Sequence, residues 1–215
     1  MFPRRTLKAR FSMKRTRQNI LEQAAAEFSA KGYSEASTRE ILLKAKANIA
    51  SINYYFGSKE ALYAEVLNRV RNRFADAFAE ISAEYAVHRE SGADQKSAEN
   101  LIKKMIKILI SLACSGDMDS IIYIREYVDP SPAYNEVFGE FNNNFRKMLA
   151  DLIMSAAGGK LSMESAGLSC MMLISFILSL YTRKNIILSG MSWKSYDDAA
   201  REIIFQTVCR SLNLD

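Results

Sequence analysis

The stretch from Ser37 to Leu62, S-T-R-E-I-L-L-K-A-K-A-N-I-A-S-I-N-Y-Y-F-G-S-K-E-A-L, leaves few folding options. Its apolar residues recur at helical spacing in two runs, each far shorter than the ~12–15 residues at which an isolated helix becomes even marginal in water. Ser37 and Glu40 have the S-x-x-E spacing of a capping box, in which the Ser37 side chain accepts from the Glu40 N–H and Glu40 reaches back to the N–H of Ser37. Ile41, Leu42 and Ala45 then give the first run one apolar face. The turn falls at Lys46-Ala47-Asn48, and Asn48 is placed to cap a second helix over Ile49–Tyr55. Ile49, Ile52 and Phe56, at i, i+3 and i+7, are expected to face inward. Asn48, Ala50, Ser51, Asn53, Tyr54 and Tyr55 are left outside, and almost all of them form hydrogen bonds.

A short helix that gives its surface to Asn, Ser and Tyr is suited to presenting those groups, and the spacing predicts a helix-turn-helix over 37–56 that offers its second helix to a DNA major groove. Charge agrees. Residues 1–74 carry 15 Lys/Arg and 6 Asp/Glu, a net +9, whereas residues 75–215 carry 14 and 18, a net −4, which together return the overall +5. A basic head on an acidic body is the electrostatic footprint of a chain that meets nucleic acid at one end. Asn48, Ser51 and Asn53 are the candidates for base-edge contacts, since Asn pairs bidentately with adenine. Thr38, Arg39, Lys46, Tyr54, Tyr55 and Lys59 are the candidates for the backbone, helped by helix N-termini.

The residues carry a resemblance. Thr38-Arg39-Glu40-Ile41 followed by Tyr54-Tyr55-Phe56-Gly57-Ser58-Lys59-Glu60-Ala61-Leu62, with Ile20, Ala24, Phe28 and Gly32-Tyr33 upstream, resembles the DNA-binding domain of the tetracycline-repressor (TetR/AcrR) family over roughly residues 14–70. The A-N-I-A-S-I-N-Y-Y-F form, together with Arg125-Glu126 and Pro130-x-Pro132, is similar to the CecR/YbiH-like subgroup. One departure stands in the turn, where the family usually has Gly and this chain has Lys46. A side chain in the left-handed dihedrals of a helix C-terminus costs ~1 kcal/mol. The resemblance implies an all-α fold: an N-terminal three-helix DNA-binding domain and a C-terminal helical ligand-binding and dimerisation domain, about nine helices in all. It also implies a homodimer, a palindromic operator, repression, and release by a small hydrophobic or amphipathic effector.

Taken in order, residues 1–13 form a basic arm expected to be mobile until it meets DNA, and Met13 is an alternative start. The head spans 14–74 and the body 75–215. The first helix is expected over Lys14–Lys31, with Ile20, Leu21, Ala24, Ala25 and Phe28 inward. A helix capped by Ser58 runs to His88, the sole histidine, read as solvated. Further helices follow over Ser97–Cys114, up to Val128, then Pro132–Ala157 with Ser131 as its cap, Ser162–Leu188 and Trp193–Leu212. Leu168–Leu180 is too short a run for the ~20 residues that span a bilayer. It reads as a buried helix, and because a helix apolar all round must be covered, the last two helices are expected to pair with a second copy. An effector would lie among the body helices, with Met105, Leu109, Phe138 and Phe141 as apolar lining and Tyr123, Arg125, Glu126 and Tyr127 as polar anchors.

Catalysis finds no constellation. One His leaves little for a Ser-His-Asp arrangement, and there is no G-x-S-x-G, phosphate-binding glycine loop or C-x-x-C. Cys114, Cys170 and Cys209 lack metal-ligand spacing and read as reduced thiols of a cytoplasmic, nucleoid-associated protein. Neither a cofactor nor a metal is expected. The alternatives are a DNA-binding regulator under the control of a protein partner or constitutive, and more remotely an all-helical enzyme.

Overall fold

The structure, a computed structural model, describes residues 4–92 and 94–214. Among them are eleven helices and no strand: α1 (Arg4–Glu35), α2 (Thr38–Lys44), α3 (Ser51–Tyr55), α4 (Lys59–Ala77), α5 (Ala79–Ser91), α6 (Gln95–Ser115), α7 (Met118–Val128), α8 (Tyr134–Ala156), α9 (Met163–Thr182), α10 (Lys184–Gly190) and α11 (Asp198–Ser211). The expected all-α class holds. Two of the expected long helices divide, which accounts for the larger number. The one running to His88 breaks at Phe78 (φ −104°, ψ 3°), and the one expected over Ser162–Leu188 breaks at Arg183 (φ −115°, ψ 21°). Neither break carries a Gly or Pro that would signal it.

Other boundaries move for local reasons. The first helix starts at Arg4 instead of Lys14. The segment from Arg4 to Met13 contains neither Gly nor Pro and is rich in strong helix formers, so the described part of the expected mobile arm is helical; residues 1–3 lie outside the described residues. The helix expected at Pro132 begins at Tyr134, because the Ser131 hydroxyl donates to Glu126 (2.7 Å) instead of capping. The last helix begins at Asp198, where the Asp197 side chain accepts from the Ala200 N–H at 2.9 Å. His88 is buried, not solvated: its ring nitrogens lie 3.2 Å from Ser97 Oγ and 3.1 Å from Ser155 Oγ.

The chain forms two compact units. One comprises residues up to Asn72 together with Ile121–Phe138, the other Arg73–Ser120 with Gly139 onward. Their boundaries fall inside α4, α7 and α8. In the first unit α1 packs on α2 and α2 on α3. Ile20, Leu21, Ala24, Ala25 and Phe28 of α1 are buried, as are Ile41, Leu42, Ala45 and Ile52, and on α4 Leu62, Val66 and Val70, the faces the periodicity predicts. In the second unit α6 packs against α5, α9 and α11, and Leu101, Ile102, Met105, Ile106, Leu149, Leu152, Leu173 and Ile204 share one core.

Helix α9 is long and apolar enough to cross a membrane by length and composition alone. Its own chain covers it on one side only. Ala166, Cys170, Leu173, Ile177 and Leu180 face the core of its unit, while Leu168, Met171, Met172 and Phe176 stay exposed.

Candidate nucleic-acid interface

The helix-turn-helix is built as its sequence suggests up to the turn. Ser37 Oγ accepts from the Glu40 N–H, but Glu40 does not complete the box; its carboxylate takes the Lys31 ammonium at 2.6 Å. At the far end of α2 the Lys46 N–H donates to Leu43 O (3.1 Å) and the Ala47 N–H to Leu42 O (3.0 Å). That double reversal satisfies the last carbonyls of α2 and requires a left-handed residue at its centre. Lys46 supplies it at φ 53°, a conformation in which a Cβ is strained. Asn19 Nδ2 adds a bond to Ala45 O at 2.8 Å. The departure from Gly therefore leaves the turn intact, held by bonds from both sides.

Helix α3 is shorter than expected, Ser51–Tyr55, and its N-cap position is Ala50 without a side-chain bond. Asn48 instead closes a local turn, Oδ1 accepting from the Ala50 N–H at 3.1 Å. Because residues 49–50 lie in that turn and not on the helix, the i, i+3, i+7 argument fails at its first member: Ile49 is 78% exposed. Ile52 is the buried residue of α3, and Phe56 is half-buried beneath the Arg17 guanidinium, 4.9 Å from the ring centroid.

Arg39, Lys46, Asn48, Asn53 and Tyr54 are exposed, and Thr38, Ser51, Tyr55 and Lys59 half-buried. All nine thus keep some surface. Lys59 is partly committed, its ammonium 4.8 Å from the Tyr33 ring centroid and 3.4 Å from Ser34 O. The start of α4 is capped as expected, Ser58 Oγ accepting from the Ala61 N–H at 3.1 Å.

The head's positive charge is not all available to DNA. Arg17 grips Glu65 with both carboxylate oxygens, at 2.5 and 2.6 Å. Glu27 is a buried carboxylate held by Lys31 (2.8 Å) and Lys44 (2.7 Å); its bonds to Lys31 and then to Lys44 pull its pKa down to about 2. Glu27, absent from the sequence expectations, lies seven residues after Ile20 on the buried stripe of α1 with Lys31 one turn on, a spacing that marks it in the sequence. Tyr33 donates to Glu60 at 2.7 Å, and burial first, then that carboxylate, pushes its phenol up to about 12.

The expected effector residues divide between the units. Met105 is fully buried in the core of the second unit, with Leu109 packed against that core, and Phe141 is half-buried. In the first unit Tyr123, Tyr127, Tyr134 and Phe138 form an aromatic cluster, Phe138 lying 5.2 Å from Tyr123 and 5.7 Å from Tyr134 between ring centroids. The two charged anchors have other employment. Glu126 is buried and accepts from Tyr63 Oη (2.7 Å), Ser131 Oγ (2.7 Å) and Ser131 N (3.2 Å). Arg125 donates to Ala30 O near the end of α1 at 3.2 Å. Together they tie α7 to α4 and α1 within the first unit.

Residues 20–66 match the family of bacterial regulatory proteins of the tetR type, and residues 95–212 match the C-terminal domain of the HTH-type transcriptional dual regulator CecR. The CecR dual regulator of Shigella flexneri is 28% identical over 201 residues, covering 92% of this chain and 90% of that protein. The transcriptional repressor NicS of Pseudomonas putida is 43% identical over 60 residues, 28% of each chain. Among solved structures, a complex of AibR with isovaleryl coenzyme A and operator DNA superposes with a TM-score of 0.67 at 16% identity, covering 91% of this chain and 97% of that one. A TetR-like transcriptional regulator from Rhodococcus sp. RHA1 gives 0.64 at 18% identity, covering 93% and 97%. With the tetR-type match over residues 20–66 and the CecR-type domain over residues 95–212, this chain belongs to the TetR family of transcriptional regulators.

Proposed function

We propose that this regulator is a homodimeric repressor whose two heads (residues 14–74) read a palindromic operator in successive major grooves, ~34–36 Å apart, and whose body (residues 75–215) pairs the copies and takes up a small-molecule effector. The observation that carries the reading is the exposed face around α3, where Asn48, Ser51 and Asn53 offer hydrogen bonds for base edges. Arg39, Lys46 and Lys59, with Thr38, Tyr54 and Tyr55, flank it as backbone contacts. The exposed row of Leu168, Met171, Met172 and Phe176 on α9 supports pairing through the last helices. Met105, Leu109 and Phe141 within the second unit and, separately, Tyr123, Tyr127 and Phe138 within the first are the candidate effector contacts, whereas Arg125 and Glu126 are better read as struts of the first unit. On this reading the protein acts at DNA in the bacterial cytoplasm, by binding and not by catalysis.

The test is fluorescence-anisotropy titration of the full chain against duplexes selected from a random pool, over a range of salt, with sedimentation to determine the oligomer. A dimer that prefers one palindrome, with affinity falling steeply as salt rises, is the expected result. A monomer at micromolar concentration, or binding without sequence preference, refutes it. Repression and effector release are then read from the same site by transcription and by displacement.

A further inference from the structure

Ile49 is not part of the buried core of its unit. It is a β-branched apolar residue with 78% of its surface in water, in a turn whose backbone is held on both sides. Asn48 Oδ1 accepts from the Ala50 N–H (3.1 Å), and Asn48 O accepts from the Ser51 N–H at 2.9 Å. A single exposed apolar side chain is ordinary. Here Leu43 (77%), Ile49 and Tyr54 (68%) fall within one short stretch of a head that is otherwise strongly basic, and this stretch contains the whole turn between α2 and α3. Exposed apolar side chains gathered in the segment that offers itself to DNA are groups a partner can cover.

The chemistry of what covers Ile49 is narrow. Its neighbours Asn48, Ser51 and Asn53 are uncharged hydrogen-bonders, suited to base edges instead of phosphates. Ile49 itself cannot donate or accept. In the major groove one group alone matches a hydrogen-bond-inert, apolar side chain: the C5-methyl of thymine. Its stiff χ1 keeps the methyl groups in place without much loss of freedom on contact.

We infer that Ile49 is a specificity residue that reads the C5-methyl of one thymine in each half-site. The inference rests on the proposed DNA-reading role of the α2–α3 unit and adds to it a base identity. Ile49 discriminates T·A from C·G and from the methyl-free base uracil, while the neighbouring Asn and Ser side chains read hydrogen-bonding edges.

The experiment uses the full-length protein and a duplex it selects from a random pool. Each thymine is replaced in turn by deoxyuridine, which removes one methyl and leaves every hydrogen bond of the pair unchanged. The wild type is expected to lose about fourfold in affinity at one thymine per half-site, the value of one methyl group returned to water. Ile49→Ala is expected to bind thymine and uracil duplexes equally at that position, and Ile49→Val to keep most of the discrimination. Because Ile49 is exposed, neither variant loses core packing, and unchanged thermal unfolding verifies that. If every deoxyuridine penalty is the same in wild type and Ile49→Ala, the assignment is overturned while the DNA-reading role stands. If the pool yields no preferred sequence at all, both fall together.

Discussion

Lys46 sits where its dihedrals favour glycine, and two substitutions separate the roles of its backbone and its charge. At φ 53° a residue with a Cβ carries roughly 1–2 kcal/mol of strain relative to the right-handed region. Glycine removes that strain but gains freedom in the unfolded chain worth roughly 0.4–1 kcal/mol. Lys46→Gly should therefore stabilise by a net ~0.5–1 kcal/mol, raising Tm by about 1–4 °C for a chain of this size. Lys46→Ala keeps the Cβ and should leave Tm near that of wild type. Both variants lose the ammonium. If Lys46 touches a phosphate, both should lower the slope of log K against log salt by about 0.9 per head, and both should weaken binding at low salt alike. The Gly variant thus becomes more stable and a poorer DNA binder at once. Calorimetry and anisotropy at several salt concentrations measure the two effects. Equal Tm changes in Gly and Ala would refute the strain argument. A salt slope that stays unchanged would remove Lys46 from the phosphate contacts.

Two buried carboxylates of the first unit, Glu27 and Glu126, give further expectations. The Glu27 pKa lies at about 2, below its ordinary 4.5, so its ion pairs contribute stability that is complete above pH 4.5 and lost as pH falls toward 2. Glu27→Gln should lower the urea midpoint at pH 7, and the gap to wild type should close as the pH falls to 2.5; a gap independent of pH would rule out the linkage. Tyr63→Phe keeps the ring against Phe28 and Tyr33, at centroid distances of 4.5 and 5.0 Å, but leaves Glu126 Oε1 buried without its donor. It should destabilise by about 1–3 kcal/mol, and a neutral result in thermal unfolding would mean that the carboxylate finds water or another donor.

What was legible in the chain was whatever local spacing determines. The stripe Ile20, Ala24, Phe28 and the run Leu62, Val66, Val70 give their helices away, because burial at helical intervals is a property of neighbours in sequence. Ser37 and Ser58 announce their helix starts for the same reason. The left-handed turn at Lys46 was legible too, but only against the expectation of glycine there. The breaks at Phe78 and Arg183 were not, since no residue near either one interrupts helical propensity.

Ile49 and Glu126 show two different ways in which local reading stops. At Ile49 the period was right and its origin wrong: the helix starts at Ser51, so a residue two positions earlier no longer obeys the helical wheel. Shifting one boundary turned a predicted core residue into the most exposed apolar group of the reading unit. At Glu126 the difficulty is distance along the chain. Its partner Tyr63 lies 63 residues away, and a carboxylate on an aromatic-rich helix looks the same in sequence whether it awaits a ligand or closes a hydrogen bond. The Ser131 bonds were nearer to hand. A serine between two prolines cannot enter the preceding helix, and five residues after Glu126 its hydroxyl returns to that carboxylate. Pro130-Ser131-Pro132 therefore does more than end a helix: it folds back to satisfy the acid that α7 buries in the first unit.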